Sequence, residues 1–90
     1  MIIWDEKKNK KLIEERSLSF EVFADLIVNK QYLDILEHPK RDNQFIAIVS
    51  YEDYTYVVPF VIDEKRNIIL KTVFPSRKYH KIYGGEQNEK

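Results

Sequence analysis

The sequence predicts an α+β fold, a short N-terminal strand and two helices packed on one face of a small antiparallel sheet, in the order β-α-α-β-β-β. Three observations predict it. Apolar residues between positions 18 and 27 recur at helical spacing. From residue 45 the pattern changes to short runs rich in Ile, Val and Tyr. The polar links between those runs are a few residues long, which suits antiparallel neighbours and excludes crossovers. Ninety residues make one domain, expected over 1–84, with 85–90 as a disordered C-terminal tail.

Ile2 to Trp4 is the first strand candidate. Asp5 follows as a helix N-cap, because its carboxylate can accept from the free amides of a first turn. Glu6 to Arg16 reads as a mostly exposed helix whose strong apolar residues are Leu12 and Ile13. Ser19 caps the second helix, and Leu18 before it and Phe23 after it fit a hydrophobic staple. Phe20, Phe23, Ala24 and Ile27 then form its core face. "QYLDILEHP", residues 31–39, fits a short strand or a further helical turn, ended by Pro39.

The meander strands are Phe45 to Ser50, Tyr54 to Ile62 and Asn67 to Phe74, with turns at "YED" and "DEKRN". Tyr54, Tyr56, Val58, Phe60 and Ile62 share one face. Pro59 inside the second strand predicts a bulge or an exposed edge there, since proline has no N–H for the ladder.

Composition narrows the function classes. The chain is 43% hydrophobic with two glycines, which is globular rather than low-complexity. No apolar run approaches the roughly 20 residues of a membrane helix, and the N-terminus lacks the apolar core of a signal peptide. A cytoplasmic protein is expected. With no Cys, disulfides and thiolate metal sites are excluded, and His38 and His80 do not form a metal motif. No cofactor is expected.

The net charge is zero but unevenly spread. Residues 1–64 hold 8 Lys/Arg against 13 Asp/Glu, whereas residues 65–85 hold Lys65, Arg66, Lys71, Arg77, Lys78 and Lys81 and no acid. That asymmetry predicts one anion-facing surface or, equally, a solvated charged face. Its densest part is "FPSRKYHKIYG", residues 74–84.

The N-terminal third resembles the BrnT family of bacterial toxins. The resemblance rests on Trp4-Asp5, Lys8-Asn9 and Ser19-Phe20-Glu21. At the other end it rests on the stretch from Val73 to Lys78, where Arg77-Lys78 matches the family's Arg-Lys. Arg16 stands where that family has a His, and the segment from Lys78 to Tyr83 is shorter and less basic than its counterpart. The resemblance implies a RelE-like fold within the RelE/ParE-like superfamily, ribonuclease activity, and a cognate antitoxin encoded by an adjacent gene.

Metal-free RNA cleavage needs a base for the ribose 2′-OH, cations for the phosphoryl oxygens and an acid for the 5′ leaving oxygen. The stretch from Lys71 to Tyr83 supplies the residue types. Arg77 is the expected phosphate ligand, because its planar fork bonds two oxygens. His80, a residue type suited to general acid–base work, and Tyr83 are the candidates for proton transfer. Lys71, Lys78 and Lys81 would set the field, and Tyr79 could stack on a base. The expected function is thus a type II toxin, a metal-independent endoribonuclease with an antitoxin and RNA as partners and a possible hetero-oligomer with the antitoxin. The alternative is a non-catalytic binding module on the same fold, such as a topoisomerase-targeting or degenerate toxin.

Overall fold

The computed structural model describes residues 1–84; the tail expected over 85–90 lies outside the described residues. Strand β1 is Ile2–Ile3 and helix α1 Glu6–Arg16. Asp5 caps α1 as expected, accepting from the Lys7 amide at 2.8 Å. Ser17 ends it in the left-handed region (φ 57°), with its N–H bonded to the Ile13 carbonyl. Helix α2, Phe20–Val28, begins at Ser19. Leu18, Phe23, Ala24 and Ile27 are all buried, so the staple and core face are as the spacing predicts.

The first turn of α2 is tied to α1 by one side chain. Asn9, 3% exposed, accepts from the Phe20 amide at 2.8 Å and donates to the Glu21 carboxylate at 3.0 Å. Trp4 stacks on the Phe20 ring with centroids 6.0 Å apart. The N-terminal residues that carry the family likeness therefore clasp the two helices together.

The sheet contains β2 (Asp34–Glu37), β3 (Gln44–Tyr51), β4 (Tyr54–Ile62), β5 (Ile68–Leu70) and β6 (Phe74–Pro75). Its order is β1-β5-β4-β3-β2, with β6 beside β4. The ambiguous 31–39 stretch is a strand, paired antiparallel to β3. The sheet is mixed rather than wholly antiparallel, because β1 runs parallel to β5. Glu52 and Asp53 both have positive φ, the requirement of a tight two-residue hairpin between β3 and β4.

The third meander strand is broken, and Pro59 explains the break. Phe60 pairs with Leu70 and Val57 with Phe74. Between those pairs β4 has Val58 and Pro59, while the facing chain has Lys71, Thr72 and Val73. Two residues thus face three, which is a bulge. Pro59 offers no N–H, though its carbonyl still accepts from the Lys71 amide at 2.9 Å. The bulge turns Val73 fully into the core and leaves Lys71 and Thr72 exposed.

The core lies between the helices and one sheet face: Leu12, Phe20, Phe23, Ile27, Ala47, Val49, Val58, Phe60, Leu70 and Val73. On the opposite face Ile48, Thr55 and Val57 are also buried. They lie on the face covered by residues 77–84, part of the densest stretch of the basic block. Helix α3, Arg77–Tyr79, continues as a π-helical turn over His80–Gly84 and forms a third layer there.

Candidate functional site

The basic C-terminal segment is built into the fold. The Ser76 amide donates to the Thr55 carbonyl at 3.0 Å, carrying the chain out of β6. The Ser76 hydroxyl caps the helix by accepting from the Tyr79 amide at 3.2 Å. His80 lies half-buried with Nδ1 at 3.0 Å from the Thr55 hydroxyl, and its ring stacks on Tyr54 at 4.2 Å. This fixes the imidazole and leaves Nε2 without a protein partner among the described residues. A ring held through one nitrogen with the other open is an arrangement suited to proton transfer.

Tyr83 reaches across the same face and donates to Asp34 Oδ2 at 2.9 Å. That bond, followed by burial and the nearby Asp34 charge, raises its phenol pKa above the usual tyrosine value. Tyr79 packs on Tyr83, centroids 6.2 Å apart, with Lys78 Nζ 5.3 Å from the Tyr79 centroid. Arg77, Lys78 and Lys81 are exposed.

Lys71 is grouped elsewhere. On the helix side it lines a cleft of about 290 Å³ with Lys8, Lys11, Glu15, Arg16 and Thr72. Arg16 is the basic residue in the last turn of α1. Here its Nη1 donates to the Val73 carbonyl at 3.3 Å, closing the distance between α1 and the bulge. Arg16 also lines a second cleft of about 410 Å³, with Leu18, Tyr56, Phe74 and Pro75. The expected site residues thus divide into two sets: Lys71 with the α1 cations, and residues 77–83 on the far face, joined through β6.

The sequence held a signal for the first set. Lys8, Lys11, Glu15 and Arg16 recur at i, i+3, i+7 and i+8, one stripe of a helix. What it lacked was the bulge that brings Lys71 against that stripe. Among the described residues no group of three or more His, Asp or Glu side chains comes together in a way that could hold a metal ion. Nor is any helix among them long and apolar enough to cross a membrane.

These features define a class by architecture: a small mixed sheet, two helices on one face and a short basic helix on the other. The chain matches no family model, and no curated protein matches it. Among solved structures it is similar to the 1.1 Å crystal structure of the Brucella abortus ribonuclease toxin BrnT. The two are 24% identical over 83% of this chain and 94% of that one, with a TM-score of 0.59. The chain therefore has a BrnT-like α+β fold, as its motifs suggested.

Proposed function

We propose that this protein is the toxin of a type II toxin–antitoxin pair and a metal-independent endoribonuclease. The observation that carries the reading is the packing of residues 77–83, with Arg77, Lys78 and Lys81, onto a BrnT-like sheet, with His80 among them fixed through Nδ1. A solvated tail would not hold an imidazole in one orientation.

In this reading the 2′ oxygen attacks the adjacent phosphorus as its proton leaves to a base. The P–O5′ bond breaks, a proton reaches the 5′ oxygen, and the products are a 2′,3′-cyclic phosphate and a 5′-hydroxyl. Arg77 is the phosphate ligand, since its fork matches two phosphoryl oxygens. His80 moves a proton through Nε2, and Tyr83 can do so only after giving up Asp34. Lys78 and Lys81 supply the field, and Tyr79 offers a stacking face. The antitoxin would be acidic where it covers this basic end.

A second reading, a non-catalytic binding module, is favoured by one observation: His80 and Tyr83 both make interactions that hold α3 to the sheet. One experiment separates the two. The chain is expressed alone and with the protein of the adjacent gene, and growth and RNA ends are followed. The proposal expects arrest with new RNA ends, both suppressed by co-expression. Unchanged growth and intact RNA would remove it.

A further inference from the structure

We propose that Arg16 marks a nucleotide-binding site on the helix side of the sheet, with the base on Tyr56 and the phosphate among Lys8, Lys11 and Lys71. Two clefts share this one residue. The first brings the cations Lys8, Lys11 and Lys71 beside Arg16, with Glu15 as its acid and Leu12 and Phe20 as its apolar lining. The second is lined by Tyr56, Phe74, Pro75 and Leu18, with Arg16 as its charged residue. A ligand that spans both would set an anion among the lysines and a flat face against Tyr56. A nucleotide has that shape: a phosphate, a sugar spacer and an aromatic face.

The residues are held in place for such a ligand. The Arg16 guanidinium is anchored on the Val73 carbonyl at 3.3 Å and so spends one of its five N–H donors on the fold. Tyr56 is buttressed by Phe23, Tyr51 and Tyr54, with centroids 5.6, 6.0 and 6.1 Å away. Pro75 pairs directly with Tyr56 across β4 and β6, so both rise from the same sheet face into the cleft. A supported aromatic ring loses little freedom when a base stacks on it, and stacking tolerates any base because each has a π face. This site extends the ribonuclease reading, because it would seat one nucleotide of the RNA strand beside β6, two residues before Arg77.

The test is a titration of the purified full chain at low salt with four probes: adenosine 5′-monophosphate, ribose 5-phosphate, adenosine and inorganic phosphate, followed by NMR. Base–aromatic stacking should make adenosine 5′-monophosphate bind roughly five- to 150-fold tighter than ribose 5-phosphate. The shifted resonances should be those of Lys8, Lys11, Arg16, Tyr56 and Lys71. Tyr56→Leu should remove that advantage and leave ribose 5-phosphate unaffected, whereas Tyr56→Phe should keep it. Arg16→Gln, at an exposed residue, should weaken both phosphorylated ligands.

Equal affinity for adenosine 5′-monophosphate and ribose 5-phosphate in the unaltered chain would overturn the base cleft without recourse to any variant. Shifts confined to residues 77–83 would overturn its location. A competition arm adds an acidic peptide to the nucleotide-bound chain; displacement of the nucleotide by tighter peptide binding would overturn the nucleotide site in favour of a protein-docking surface. RNA cleavage is scored separately: nucleotide binding with intact RNA would leave this site standing and remove the ribonuclease, and cleavage without nucleotide binding would do the reverse.

Discussion

Asn9→Ala should cost far more than the loss of an ordinary helix residue, because Asn9 makes both ties between α1 and the start of α2. Its side chain accepts from the Phe20 amide at 2.8 Å and donates to Glu21 at 3.0 Å, and it is 3% exposed. Removing it deletes two hydrogen bonds, one of them to a charged group, and strands the Phe20 N–H in a buried setting. An unsatisfied buried donor costs about 1–3 kcal/mol, and the lost bond to a carboxylate about 1.5–3 kcal/mol, though Glu21 recovers much of the latter by hydrating. A total of about 2–4 kcal/mol follows. For a domain of this size each kcal/mol moves Tm by about 4–8 °C, so a drop of at least about 8 °C is expected. The assay is thermal unfolding by circular dichroism. Asn9→Asp tests the two ties separately, since it keeps the acceptor for Phe20 but sets a carboxylate against Glu21. It should fall between the parent and Asn9→Ala at neutral pH and recover as the carboxyls are protonated. If Asn9→Ala lowers Tm by only a degree or two, the clasp is not what holds α2, and the N-terminal motif must serve something other than the fold.

Three further outcomes are expected. Arg77→Ala should lower RNA cleavage about 10²–10³-fold, the usual cost of one preorganised donor to a developing oxyanion; stability should stay within about 0.5 kcal/mol because Arg77 is exposed, and full cleavage by that variant would move the phosphate ligand to Arg16 or Lys71. Cleavage should persist in EDTA and leave a 2′,3′-cyclic phosphate, which mass spectrometry of the products reads directly; activity lost in chelator and restored by a divalent ion would contradict this. Tyr83→Phe should lower Tm at neutral pH and speed amide exchange over residues 77–83, since the bond to Asp34 is lost. The raised phenol pKa means that this contribution is fully present below the unfolded value of 10.0 and disappears as pH rises through the folded one, so a gap between the two proteins that persists after the folded protein's Tyr83 has ionised, read by its ultraviolet absorbance, would refute the assignment.

Local chemistry was legible in the sequence. Asp5 and Ser19 announce the two helix starts because capping depends on residues a turn away. The core faces of α2 and β4 follow from spacing alone, because helix and strand periods fix which residues share a face. Pro59 announced a disturbed strand, since a missing N–H is a property of the residue itself. The basic block ending at Lys81 was visible as charge, and the family likeness pointed to the fold. Contacts between distant residues were left to the tertiary structure. The Asn9 clasp, the break of the last strand into β5 and β6, and the parallel pairing of β1 each need a partner from another part of the chain. So do the burial of Thr55 under His80 and the anchoring of Arg16, 57 residues away from Val73 in sequence. A charged side chain reads the same in sequence whether it faces water or lines a cleft. Only the bulge opposite Pro59 sets Lys71 against α1, and only the packing of α3 makes the basic end part of the protein's body.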